Sequence, residues 1–108
     1  MLNLLRFKSQ ADGIHDGEGI TGEDAYRRYG EAVASNLARV GGTLLLIAEC
    51  KESIIAPADE RWDLMVLAQY PSRAAFLEMV GDADFQAKHA HRSAALENSR
   101  LICCERSA

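Results

Sequence analysis

Hydrophobic positions change their spacing several times along the chain, and each change marks an element. Leu2 to Phe7 is a short apolar run of strand length. Ser9 to Gly22 is rich in Gly, Asp and Glu and reads as a loop. Thr21 is then placed to cap a helix, with Glu23 and Asp24 in its first turn, where carboxylates meet the positive end of the helix dipole. Tyr26, Tyr29, Val33, Leu37 and Val40 follow at spacings of three and four, which is one face of a helix. Gly41-Gly42 ends it, because glycine accepts the left-handed dihedrals of a helix C-terminus. Thr43 to Cys50 is a second strand, and Lys51 to Arg61, with Pro57, is a connection in which Ser53 to Ala56 extends that strand or forms a short extra one. Trp62 to Tyr70 is a third strand, stopped by Pro71, which cannot donate to a ladder. Ser72 caps a helix to about Val80, Gly81 breaks it, Asp82 caps a further helix to about Glu97, and Leu101 to Cys104 is the last strand.

The order is β-α-β-β-α-β, with the second helical unit in two pieces, which predicts one α+β domain over 1–108 with a ferredoxin-like fold. Side-chain alternation adds a consequence. In the second strand Leu44, Leu46 and Ala48 face one way and Leu45 and Ile47 the other. In the third, Trp62, Leu64, Val66 and Ala68 oppose Met65 and Leu67. Both sheet faces are therefore apolar, whereas a half-solvated antiparallel sheet alternates apolar with polar. Helices can cover only one face. Burial is worth about 25 cal/mol per Å² of apolar surface, so a bare second face would be unstable and sticky. The expected solution is a homodimer with two sheets packed face to face, since two-fold dimers are the commonest oligomers.

Several residues, taken in order, carry a family resemblance. They are Asn3-Leu4-Leu5-Arg6-Phe7, Tyr26 with Tyr29-Gly30, the Gly41-Gly42 turn, Trp62-Asp63, Tyr70-Pro71-Ser72-Arg73 with Phe76, and His91-Arg92 with Ala95-Leu96. Together they resemble the bacterial domain-of-unknown-function family 1330, in the dimeric α/β-barrel superfamily. The resemblance covers nearly the whole chain and implies a ferredoxin-like subunit paired into a dimeric barrel. It brings no established activity. The superfamily includes cofactor-independent monooxygenases, lactone isomerases, heme-dependent enzymes and regulatory ligand-binding domains, so it restricts fold far more than function. Their ligands commonly lie between sheet and helices, and the long 9–22 loop could lid such a cleft.

Composition narrows the partners. The chain has 108 residues, is 48% hydrophobic and 26% charged, and carries a formal net charge of -4. An acidic balance argues against nucleic acid or anionic membrane as the partner, because both need a basic surface. No apolar run approaches the roughly 20 residues of a membrane helix. The opening Met1 to Arg6 lacks the pattern of a secretory signal, so a cytoplasmic location is expected. Cys50, Cys103 and Cys104 are too few and too oddly numbered for a disulfide framework and are expected to be small buried hydrophobes.

The candidate chemistry is sparse. Gly17, Gly19 and Gly22 spell GxGxxG before a helix, but Lys8 to Asp16 separate them from the first strand and Asp16, Glu18, Glu23 and Asp24 would repel a pyrophosphate. His89 and His91 diverge by about 200° on a helix and cannot chelate one metal together. His15, Asp16 and Glu18 are a weak metal set. No metal and no cofactor is expected, and heme would need an inward histidine that the pattern does not assign. The stronger group is His91 as general base, Arg92 to hold a carboxylate or enolate oxygen, and Asn3 as donor to an oxyanion or carbonyl. Tyr29 and Trp62 could wall a planar ligand, although both also suit a core. A carboxylate among apolar strand residues calls for a base, which pairs Glu49 with Arg6. Arg73 is similarly placed to meet Glu78.

The expectation is thus a small organic ligand in a cleft of each subunit, with proton transfer or cofactor-free oxidation there. The alternative is a non-catalytic module for ligand sensing or dimeric assembly. A cleft that gathers His91, Arg92, Asn3 and a carboxylate favours the enzyme, and a purely apolar one favours the module.

Overall fold

A computed structural model describes residues 1–12 and 19–107 of the chain. The elements are β1 (Leu2–Phe7), α1 (Gly22–Arg39), β2 (Thr43–Glu49), β3 (Leu64–Gln69), α2 (Arg73–Gly81), α3 (Ala83–Ala95) and β4 (Leu96–Ile102). All strand pairs are antiparallel, in the spatial order β2-β3-β1-β4. That order with these connections is the ferredoxin-like fold.

The capping signals act as the sequence implies. Thr21 Oγ1 accepts from the Asp24 amide at 3.1 Å, Ser72 Oγ from Ala75 at 3.1 Å, and Asp82 Oδ1 from Asp84 at 2.9 Å. Gly41 turns the chain out of α1 with φ 80°. Elsewhere the element boundaries differ. The third helix stops at Ala95, and β4 starts directly at Leu96 instead of Leu101. Glu97 closes the last helix in the sequence reading and Asn98 to Arg100 look like loop, yet β4 is an edge strand whose pairing with β1 supplies the hydrogen bonds that the side chains do not advertise. Cys103 and Cys104 lie beyond β4 and are exposed, and Cys50 is half-buried, so none is the buried hydrophobe expected. Ser53 to Ala56 form no strand, and Ile54 and Ile55 stand in solvent.

Register sorts the sheet into two faces. One row runs Ile47, Val66, Asn3, Leu101 across all four strands, and the next runs Glu49, Leu64, Leu5, Ser99. On the opposite face one row runs Leu46, Leu67, Leu2, Ile102, followed by Ala48, Met65, Leu4, Arg100. Strict alternation in β2 is corrected here. The register shifts between Leu44 and Leu46, so Leu44 pairs with Ala68 and shares the Val66 face with Ile47. A bulge absorbs one residue and restores the phase beyond it.

The helices meet the Leu5 face. Leu5, Ala25 of α1, and Ala95 at the end of α3 are all fully buried in one cluster with Val66 and Leu96. Two alanines at the meeting point let both helices close on the sheet. Gly22 sharpens this: a Cβ there would run into the carbonyls of Lys8 and Ala95. Its amide donates to Lys8 O at 3.0 Å, which ties the start of α1 to the end of β1. Farther along, Asn36 is buried between α1 and α3, donating to Asp84 Oδ2 and accepting from Lys88 Nζ, each at 3.0 Å. These contacts hold the helices over β1 and leave a gap above β2 and β3.

Candidate functional site

The gap is a cleft of about 660 Å³ between α1 and the β2–β3 half of the sheet. Its sheet side includes Leu44, Ile47, Val66 and Ala68, and its helix side includes Val33 and Leu37. The walls are apolar because these are the positions that periodicity assigns to a core. Here the core is incomplete, and β2 leucines and isoleucine remain about half exposed.

One end of the cleft is polar. Asn3 reaches it from β1 and Arg92 from α3, with Tyr26 and Tyr29 from α1 and Tyr70 after β3. Asn3 is oriented by two bonds: Nδ2 donates to Val66 O at 3.2 Å, and Oδ1 accepts from Arg92 Nη2 at 3.4 Å. The Arg92 guanidinium also lies beside the Tyr26 phenol. The aromatic rings brace one another, with Phe7 and Tyr26 centroids 5.7 Å apart and Tyr26 and Tyr29 5.6 Å apart. Among the described residues Arg92 has no carboxylate partner.

Burial sets the protonation of this end. It pushes the Tyr29 phenol up to about 12, against the pull of Arg92. It raises Tyr26 as well, with Arg92 opposing, and Tyr70, with Tyr26 adding to the effect. At neutral pH all three phenols keep their protons and act as donors. His89 packs edge-on to Tyr29 with centroids 6.5 Å apart, and desolvation followed by the Arg92 charge lowers its pKa.

The predicted residues divide. Asn3, Arg92 and Tyr29 come together at the cleft. The other four do not line it. His91 is half-buried on α3, one residue from Arg92 and therefore about 100° around the helix. Trp62 precedes β3, with the Arg100 guanidinium 5.2 Å over its ring. The expected Arg6–Glu49 pair does not form. Arg6 Nε sits 3.2 Å from Glu97 Oε2, across the β1–β4 pair, whereas Glu49 is exposed and bonded to Lys51 at 2.7 Å. That exposed pairing holds the Glu49 carboxyl below its usual range. Glu49 borders a separate hollow of about 460 Å³ with Lys8 and Asp63. Arg73 meets Glu105 and not Glu78. Tyr26 and Tyr70 were missed as site residues, although Tyr26 shares the helical face of Tyr29 three residues on, which was the available signal.

His15, Asp16, Gly17 and Glu18, and with them the metal set and most of the proposed lid, lie outside the described residues. Among the described residues no group of three His, Cys, Asp or Glu is arranged to hold a metal ion. No helix among them is long and apolar enough to cross a membrane.

Residues 16–106 match the family described as Domain of unknown function (DUF1330). The chain belongs to this family. Two solved structures are similar to this DUF1330 protein. The crystal structure of methylated RPA0582 protein is 40% identical, with TM-score 0.84, and the match covers 94% of this chain and 74% of that one. A structure of RPA0582, titled a protein of unknown function from Rhodopseudomonas palustris, is 39% identical with TM-score 0.81, covering 94% and 75%. No curated protein matches the chain.

Proposed function

We propose that this DUF1330 protein is a cytoplasmic homodimer that binds a small organic molecule in the cleft of each subunit. The observation that carries this reading is Arg92, a half-buried cation lining a largely apolar cleft, faced by the neutral Asn3 and Tyr26. A charge in such a place is costly unless something neutralises it, and the cleft has room for a ligand that would. Binding is favoured over catalysis. The phenols of Tyr26, Tyr29 and Tyr70 keep their protons at neutral pH and are not bases there, and His91 is not among the lining residues.

The dimer rests on the second sheet face. The row Leu46, Leu67, Leu2, Ile102 crosses all four strands, with Leu46 48% and Ile102 44% exposed in the single chain. A second copy of the same face would cover it. Three free cysteines fit a reducing compartment.

Native mass spectrometry of protein purified from cells tests both parts. The expected result is a dimer that releases an organic molecule, with the molecule absent from an Ala34→Trp variant that fills the cleft from α1. A monomer refutes the assembly. A bound molecule that Ala34→Trp does not displace refutes the site.

A further inference from the structure

We infer that the ligand of this cleft is a monocarboxylate with a bulky apolar body, its carboxylate on Arg92 and its body between α1 and β2. This rests on the binding reading above and names the class of molecule.

The polar end is rich in donors. Arg92 presents a fork of N–H groups, and the phenols of Tyr26, Tyr29 and Tyr70 stay protonated. Of the acceptors among them, Asn3 Oδ1 receives from Arg92 and the Tyr26 phenol lies beside the same guanidinium, while Asn3 Nδ2 donates to Val66 O. This surplus of N–H and O–H donors favours a ligand that brings acceptors. A planar carboxylate brings two, matched to the spacing of a guanidinium, together with a negative charge that no described residue supplies to Arg92.

Charge excludes the neighbouring classes. A neutral ketone or alcohol would leave Arg92 without a counter-charge. An α-amino acid would carry its ammonium close beside the Arg92 guanidinium. A dicarboxylate or phosphate ester would need a second cation. The other arginine of the lining, Arg27, is held by Asp24 at 3.1 Å, and Glu23 and Glu31 stand exposed on the same helix. The rest of the ligand meets Val33, Leu37, Leu44 and Ile47, which reward apolar surface and offer no polar contact.

The test uses a neutral fluorescent probe, N-phenyl-1-naphthylamine, displaced by octanoate, 1-octanol or octanedioate at neutral pH. In the wild-type protein octanoate should displace the probe at least tenfold more effectively than 1-octanol, and octanedioate should be weaker than octanoate. Arg92→Gln should erase the advantage of octanoate while 1-octanol still displaces the probe, which also shows that the variant is folded. Equal potency of octanoate and 1-octanol, or an advantage that survives Arg92→Gln, overturns the carboxylate assignment and leaves cleft binding standing. Absence of saturable probe binding, or probe binding unchanged in Ala34→Trp, overturns the binding reading itself.

Discussion

Replacing Leu46 should dissociate the proposed dimer, and the size of the effect follows from the sheet. Leu46 lies on β2 in the row that continues through Leu67 and Leu2 to Ile102, and 48% of it is exposed in the single chain. Complete burial of a leucine is worth about 1.5–3 kcal/mol, so covering the exposed half gives about 1 kcal/mol. A two-fold interface uses each residue twice, which makes about 2 kcal/mol per dimer. Leu46→Ala forfeits most of that and should raise the dimer dissociation constant roughly 30-fold, at about 1.4 kcal/mol per factor of ten. Leu46→Asp adds the desolvation of two carboxylates, several kcal/mol each, and should leave only monomer. Sedimentation equilibrium over a concentration series reads this directly against a subunit mass of 11.8 kDa. Leu77→Asp is the control, because Leu77 is 64% exposed on α2 and belongs to neither sheet face. The reasoning is refuted if the wild-type protein sediments as a monomer, or if Leu46→Asp and Leu77→Asp behave alike.

Three further outcomes are expected. Gly22→Ala should destabilise by about 1–3 kcal/mol in urea unfolding, since its Cβ meets two backbone carbonyls, whereas Gly30→Ala, with nothing near its Cβ, should stabilise by up to about 1 kcal/mol through helix propensity. Equal signs for the two would contradict the packing described at the start of α1. Asn36→Ala should cost about 1–3 kcal/mol, because Lys88 loses an acceptor and the α1–α3 contact a buried bond; a melting temperature unchanged from wild type would count against it. Tyr29, lifted from 10.0 to about 12 by burial, ionises first in the unfolded chain, so the folded state holds more protons and stability falls as pH rises through that window, by about 3 kcal/mol in all. Tyr29→Phe should flatten that part of the alkaline stability profile, and an unchanged slope would show that the phenol is not buried as described.

Much of the fold is legible in the sequence because its signals are local. Thr21, Ser72 and Asp82 each cap a helix through an amide two or three residues away, and Gly41 needs only its own dihedrals. The failures share a cause in long-range pairing. Glu97 to Arg100 become a strand only because β1 lies alongside, and Leu44 joins Ile47 on one face only because β2 slips against β3. At the site, Asn3, Arg92 and Tyr29 were accessible from topology, since β1, α1 and the last helix converge in this fold. His91 was not. Neighbours on a helix point about 100° apart, and sequence alone does not say which of His91 and Arg92 faces inward. Glu49 and Arg6 failed for a similar reason: each found a nearer partner, Lys51 two residues on and Glu97 across the strand pair.

The same shortage of cover produces both proposed functions of the sheet. Helix α1 is held over β1 by Ala25, Ala95 and Gly22, close to its small residues, so it does not reach across β2. On the Val66 face the uncovered strip becomes a cleft lined in part by Arg92, and on the Leu46 face Leu46 and Ile102 stay about half exposed, open to a second subunit. Filling the cleft with a larger α1 side chain and breaking the Leu46 row are therefore independent perturbations, because the altered side chains lie on opposite faces of the sheet. Ala34→Trp should abolish ligand binding in an intact dimer. Leu46→Ala should weaken the dimer and leave the Asn3–Arg92 end of the cleft in place. A protein in which either change caused both losses would have its ligand at the subunit interface instead of between α1 and the sheet.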